Sequence, residues 1–530
     1  MLYCGYGGRN GYIERPIFWY FKFFIGEVIF IKKKVIIVIF LFIALAFSGC
    51  DMFGEDEVMV EETEEVEIVE VNHGTSSISA KEKLPDEINV TINGEKEKRE
   101  VTWEASDNFD SSEISLHEFS GSFSANGTTG ETMAKVVVRR EGEEPYSELE
   151  FKDEEFKMAV NNALEEQNDE PVFVEDALKI EELEAYNLEP FPTDNIYGIE
   201  YFFNLKELDL SYTNVDDLAP ISELENLIYL NFLGVEVENI DFLSNLANLE
   251  KLLMCGENVT SIDPLRDLNN LETLMLLDFE LETVNIFNDL ESLEELHISN
   301  SNISQPDTIS SLENIEFLAF SENDMTDITP IGELDNLNSL RITNQEIDDL
   351  KPLSNLNQLQ KLELTRIDVS EESIENLGDL ENLKELNISN MYGDYAHYQD
   401  DLEDISFLSS LSELEKLNFS QNSVNDISPL ENLTSLEHLV FWGNEVNNIE
   451  AVQNLINLNY LKVGREDFYY TYYSNKIEGI SPLVENEGLS YGDEVYIQNN
   501  YLDLDDDETM QNIQELKDRG VIIEYEPQAD

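Results

Sequence analysis

The chain has 530 residues, 113 of them Asp or Glu against 31 Lys or Arg, for a formal charge of −82. A surface this anionic repels nucleic acid and anionic lipid headgroups, which excludes binding to either as a main role. It stays soluble where salt screens self-repulsion and so suits a salt-rich or alkaline habitat.

Residues 1–31 carry Phe18, Trp19, Tyr20, Phe21, Phe23 and Phe24, interrupted by Lys22 and Glu27. They read either as residues upstream of the true start or as a second hydrophobic segment, and the first fits better because a signal begins at its basic cluster. That cluster is Lys32, Lys33 and Lys34, followed by thirteen apolar residues from Val35 to Phe47 and then Ser48, Gly49 and Cys50. Thirteen falls short of the roughly 20 residues a membrane-spanning helix needs. A basic start, a short apolar core and small residues before a cysteine resemble a bacterial lipoprotein signal, although Phe47 stands where Leu or Val is usual. The resemblance implies a signal peptide over 1–49, a lipid anchor on Cys50 that holds the protein to the membrane, and residence on the extracellular face of the bacterial cell membrane. Without residues 1–49 the charge is −86.

Residues 50–78 then follow as an acidic tether, because positions 51–71 hold ten Asp or Glu and no Lys or Arg. Their alternating EEVEIVEV could instead form an edge strand. Over 79–142 the pattern changes to short alternating runs: Leu84-Pro85, a strand from Ile88 to Ile92, a turn at Asn93-Gly94, a strand at Val101-Thr102-Trp103, then Phe119, Gly121, Phe123 and Val136 to Val138. This order resembles bacterial immunoglobulin-like domains and implies a small all-β sandwich packed around Trp103, acting as a spacer.

Between 148 and 204 a capping segment is expected. Phe156, Val160, Ala163 and Leu164 recur at helical spacing within Phe151–Leu164 and predict an amphipathic helix, ahead of a degenerate first repeat. The repeats proper occupy 205–488. Apolar residues return at Leu183, Leu205, Leu227, Leu249, Leu271, Leu293, Ile315, Leu337, Leu359, Leu383, Leu414, Leu436, Leu458 and Leu489, with ten of the thirteen intervals equal to 22 residues, one 24 and two 31. A constant period in this range predicts a solenoid. Each unit reads LxxLxLxxNxIxxIxPLxxLxN, in which positions 4 and 6 alternate as a short strand must. Pro220, Pro264, Pro330, Pro352, Pro429 and Pro482 share position 16, suited to the first turn of a 3₁₀ or short helix on the convex side. The position-9 Asn, whose amide would bond the bending backbone, is present at Asn323, Asn422, Asn444, Asn475 and Asn500, while Thr213, Val235, Glu257 and Phe279 replace it earlier, so the ladder is expected to break in the first half. The motif resembles the leucine-rich repeat of internalin-like bacterial proteins. The resemblance implies a horseshoe with a parallel concave sheet and a role in protein recognition or adhesion. Residues 489–530 read as the closing cap.

On the concave face, positions 3, 5, 7 and 8 are expected to point outward. Seven acids (Glu207, Asp209, Asp278, Glu295, Glu322, Glu363, Glu385) oppose seven bases there (Lys251, Arg341, Lys361, Arg366, Lys416, Lys462, Arg465). Two apolar groups interrupt that face: Tyr229, Leu233, Leu253, Met275, Leu277 and Phe317, and nearer the C-terminus His438, Val440, Trp442 and Tyr460. Contiguous exposed apolar surface marks a contact site. Two nine-residue insertions, Met391–Gln399 and Glu466–Ser474, fall between positions 8 and 9 of their coils. They hold Tyr392, Tyr395, Tyr398, Phe468, Tyr469, Tyr470, Tyr472 and Tyr473, with seven of the chain's 22 tyrosines. Tyrosine supplies large contact area at low entropic cost.

Catalysis finds no motif. His73, His117, His297, His397 and His438 are scattered, and no nucleophile, HExxH or phosphate loop is present. The acidic run from Asp503 to Glu508 lacks calcium-loop spacing and reads as the start of a helix. No cofactor or metal is implied. The expected function is a cell-surface lipoprotein that binds another macromolecule, a protein or a glycan, through the concave face and the two Tyr-rich loops. The alternatives are an envelope spacer or self-associating surface protein without a dedicated ligand, and a carbohydrate-binding module.

Overall fold

The computed structural model describes residues 60–63, 69–72, 80–81, 83–92, 95–105, 109, 114–125, 128–140, 147–167, 170–186, 192–280, 285–301, 306–391, 402–464 and 474–528. They form two compact units, divided near residue 145.

The first unit is all β. Its strands are β1 (Val60–Thr63), β2 (Val69–Asn72), β3 (Glu87–Ile92), β4 (Glu95–Glu104), β5 (Ser115–Ala125) and β6 (Thr128–Arg139), hydrogen-bonded in the order β1-β3-β4-β5-β6-β2. The first part of β4 pairs with β3 and its last four residues with β5, so one strand serves both pairings. Alternation fills the core with Ile88, Val90, Trp103, Phe119, Phe123, Ala134, Val136 and Val138. Trp103 stands opposite Gly121, where a Cβ would come within 2.6 Å of the indole, and its Nε1–H donates to the Pro85 carbonyl at 2.8 Å. The unit is all β and packs around Trp103, as expected.

The acidic tether needs correction. β1 and β2 both lie within it and both join the sheet at its edges; β2 falls at the end of the EEVEIVEV run, whose alternation suggested an edge strand, and β1 precedes that run. β2 pairs parallel with β6, Val71 is fully buried, and Glu70 accepts a 2.7 Å bond from Arg139 with both side chains buried. A buried charge is costly unless paired, so this ion pair lets an acidic segment enter the sheet.

In the second unit, fifteen parallel strands run in chain order from β7 (Glu182–Glu184) to β21 (Ile522–Glu524), one per coil. Strand residues at positions 4 and 6 are buried and stack coil upon coil, as in Leu208, Leu230, Leu252, Leu274, Leu296 and Leu318. This shared spine is the core that no coil could form alone. Short 3₁₀ segments line the opposite side, with Pro220, Pro264, Pro330, Pro352 and Pro429 in their first turns and Pro482 opening the helix Ser481–Glu485. Helix α1 (Glu154–Ala163) is capped by Asp153, which accepts from the Phe156 N–H at 2.7 Å. It buries Phe156, Ala159 and Val160, whereas Ala163 is exposed because the helix ends there. Helix α2 (Asp507–Asp518) begins at the Asp503–Glu508 run, with Asp506 as its cap.

Phase slips at both ends of the array. Leu183 pairs with Leu208, not Leu205, and Val495 pairs with Leu461, so Leu489 lies ahead of its strand. The end coils carry extra residues whose lengths happen to preserve the spacing. The last strand, β21, comes from the cap.

Two side-chain ladders hold the coils. Asn422, Asn444 and Asn475 each donate to carbonyls of two coils and accept a backbone N–H; Asn444 gives to Phe419 and Phe441 at 3.0 Å and takes from Val424 at 3.0 Å. The ladder reaches further toward the N-terminus than position 9 suggested, because Ser301, Asn323 and Gln345 pass bonds in sequence from the Phe279 N–H. The second ladder is the final Asn of the motif. Asn226, Asn248, Asn270, Asn314, Asn336, Asn382 and Asn457 donate to carbonyls of the preceding coil at 2.6–2.9 Å.

Part of the acidic excess is structural. Asp217, Asp327, Asp349, Asp404 and Asp426 accept from the N–H two residues on at 2.7–3.0 Å and so cap the 3₁₀ segments. Bonds from the Thr329 hydroxyl and N–H hold the Asp327 carboxyl below its ordinary range. The Lys351 N–H and the Ser373 hydroxyl do the same for Asp349.

Candidate concave binding face

Each strand of the solenoid presents positions 3, 5 and 7 on the inner surface, and position 8 does not belong with them. There Tyr212, Asp278, Asn300, Glu322, Asn344, Arg366, Asn390 and Gln421 have φ of 47–59°, joined by Gly234 and Gly443. This left-handed residue breaks the alternation, even where pairing resumes beyond it as in the strands Ser339–Glu346 and Lys361–Asp368, which removes Asp278, Glu322 and Arg366 from the expected face. Three inner bases pair across strands: Arg341 with Glu363 at 2.7 Å, and Lys361 and Lys416 with Glu385 at 3.4 and 2.9 Å. The Glu385 carboxyl lies below its ordinary range: burial opposes the shift, but bonds from Lys416 and the charge of Lys361 outweigh it. Partly exposed pairs of this kind are each worth about 0–1 kcal/mol.

The N-terminal apolar group is only partly surface. Leu253 is 3 % exposed, and Leu233 and Leu277 are buried as well, which corrects their place in the expected contact site. Alternation sets the direction in which a side chain leaves the strand but not how far its neighbours cover it: Asn231 and Met275 stand in register with Leu253 on the adjacent strands, and Lys251 precedes it on its own. Tyr229, Met275 and Phe317 keep partial exposure. Between the last two lies His297, whose ring is 4.8 Å from Phe317. Burial, helped by the Arg341 and Lys251 charges, lowers the His297 imidazole to about 3, so it is neutral. Burial also raises the Tyr229 hydroxyl, with Asp209 adding to it.

The C-terminal group is different. His438 and Tyr460 stand in register on β18 (His438–Val440) and β19 (Tyr460–Lys462), with rings stacked at 5.4 Å and 21°. Tyr496, on β20 (Glu494–Tyr496), continues the line at 5.6 Å. Val440, Trp442 and Lys462 flank it, and all six side chains are partly exposed. The sequence reading brought His438, Val440, Trp442 and Tyr460 together but left Tyr496 in the cap; the signal that could have found it is Asn500, four residues on at the ladder position.

Of the insertions, residues 392–401 and 465–473 lie outside the described residues, and with them Tyr392, Tyr395, Tyr398, Phe468, Tyr469, Tyr470, Tyr472 and Tyr473. Their attachment points differ. Met391 is fully buried and its N–H donates to Asn422, so it occupies position 9 and the first insertion follows it. Asn475 is the buried position-9 residue of its coil, so the second insertion precedes it. Among the described residues no cluster of side chains suits a metal ion.

Residues 211–326 match a family described as BspA type leucine-rich repeat region (six copies), and residues 412–457 match leucine-rich repeats (two copies). Leucine-rich repeats build this solenoid. Among solved structures, an internalin of Listeria monocytogenes (InlF) is 25 % identical, with a TM-score of 0.52 over 64 % of this chain and 94 % of its own. A leucine-rich repeat protein of Leptospira interrogans (LIC12759) is 19 % identical, with a TM-score of 0.47 over 62 % of this chain and 86 % of its own. No curated protein matches the sequence. The repeats and the internalin likeness support a role in protein–protein interaction rather than catalysis.

Proposed function

We propose that this protein is a lipid-anchored, cell-surface binding protein whose concave face engages another protein. The observation that carries the reading is the strip His438, Tyr460 and Tyr496 with Trp442 beside it: aromatic side chains left partly exposed on a rigid sheet whose other large apolar residues are mostly buried. Aromatic anchors on a preorganised surface dominate binding energy at interfaces. In the sequence, the tyrosine-rich insertions follow the strands Glu385–Asn387 and Tyr460–Lys462. Anchoring rests on the Lys32–Cys50 signal.

Two tests address the two halves of this reading. Replacing Tyr460 and Trp442 with Ser should abolish retention of envelope proteins on the immobilised full chain while the circular dichroism spectrum is unchanged; unchanged retention would favour the spacer reading. Metabolic labelling with a fatty-acid analogue should tag the wild type and not Cys50→Ser.

A further inference from the structure

Resting on that reading, we propose a chemical class for the partner: a protein segment that presents a carboxylate beside an aromatic or apolar side chain, with Lys462 as the carboxylate's seat. The chain has more than three acids for each base, and the inner-face cations Arg341, Lys361 and Lys416 all have carboxylates. Lys251 lies over the Tyr229 ring at 6.0 Å, and Lys462 has no carboxylate partner among the described residues. Its ammonium lies 5.6 Å from the centre of the Tyr496 ring, and among the described residues no carboxylate comes within the 4.0 Å of an ion pair. The nearest acid by register, Glu494, instead accepts the Tyr496 hydroxyl at 2.8 Å. A cation held over an aromatic ring, half-buried and with no carboxylate beside it among the described residues, is set to receive one. The Tyr460 and Tyr496 rings beside it supply a stacking floor for a neighbouring ring or aliphatic chain.

The overall charge does not oppose this. At physiological ionic strength the screening length is about 8 Å, so a docked segment senses the strip and not the whole acidic surface.

The test uses fluorescence anisotropy of labelled peptides in a Ser/Gly background carrying Glu-Tyr, Gln-Tyr, Lys-Tyr or Glu-Ser, titrated with the full chain. Glu-Tyr should bind about tenfold more tightly than Gln-Tyr, the usual effect of one charge-assisted contact. Lys462→Met should remove that preference while keeping Tyr-dependent binding, and Lys462→Glu should shift preference to Lys-Tyr. Equal binding of Glu-Tyr and Gln-Tyr, a preference that survives Lys462→Met, tighter binding of an acidic glycan than of any peptide, or no peptide binding at all would each overturn the proposal. Trp442→Ser and Tyr460→Ser separate the two levels: if they abolish Tyr-dependent binding while Glu and Gln remain equivalent, only the carboxylate seat fails. If they change nothing, the strip itself is not a binding surface.

Discussion

The coils near Tyr229 and those near Tyr460 share one backbone path and one leucine spine, yet they solve the turn and use the inner face in opposite ways. In the C-terminal coils a buried Asn at position 9 satisfies the turn with polar bonds, and the inner positions carry partly exposed rings. In the N-terminal coils position 9 is Thr213, Val235, Glu257 or Phe279, of which Glu257 is exposed. Thr213 bonds the Leu210 carbonyl, while Val235 and Phe279 are buried and fill the turn with apolar bulk. The Phe279 ring lies over Gly256, where an added Cβ would fall within 2.1 Å of it. Leu233, Leu253 and Leu277 in the same coils are buried as well. One half of the array therefore spends its large residues on cohesion and leaves recognition to the other half.

That contrast can be broken at either end. The largest effect is expected from Phe279→Ala, which empties a buried aromatic site and should cost about 4 kcal/mol in denaturant unfolding; a loss below about 1 kcal/mol would mean that the ring does not replace the ladder. Next comes Asn444→Ala. It leaves the buried Val424 N–H without its acceptor and takes one of two ladder donors from each of the Phe419 and Phe441 carbonyls, which Asn422 and Asn475 still reach, at a cost of about 2 kcal/mol. Hydrogen exchange should localise the damage to neighbouring coils, because solenoid stability is carried by nearest neighbours.

Sequence spacing revealed the solenoid, the strand positions and the prolines, since each depends on a local property repeated many times. Burial of Leu253 was not legible, because alternation assigns a direction without the size of neighbours 22 residues away. The same limit hid Tyr496, where the period fails at the cap, and the attachment of Met391, which an inserted segment makes ambiguous by one position. β2 was misassigned because the buried partner of Glu70 is Arg139, far along the chain.

A smaller effect should come from pH. His297 titrates near 3 when folded against an ordinary value near 6.5, so the unfolded chain binds the extra proton. Its contribution is fully present above 6.5 and is lost as pH falls toward 3, with a slope of at most about 1.4 kcal/mol per pH unit. His297→Gln should flatten the stability profile over that window relative to wild type; parallel profiles would place the histidine outside the cohesive packing. Smallest is Tyr460→Ser, a partly exposed residue whose loss should change stability by less than about 1 kcal/mol while removing partner binding.

Hydroxyl-radical footprinting of the full chain, with and without envelope proteins, tests the division of labour most directly. Protection concentrated at Trp442, Tyr460 and Tyr496, with Tyr229, Met275 and Phe317 unchanged, is the predicted result. Protection confined to the N-terminal group, or absent from both, would contradict it.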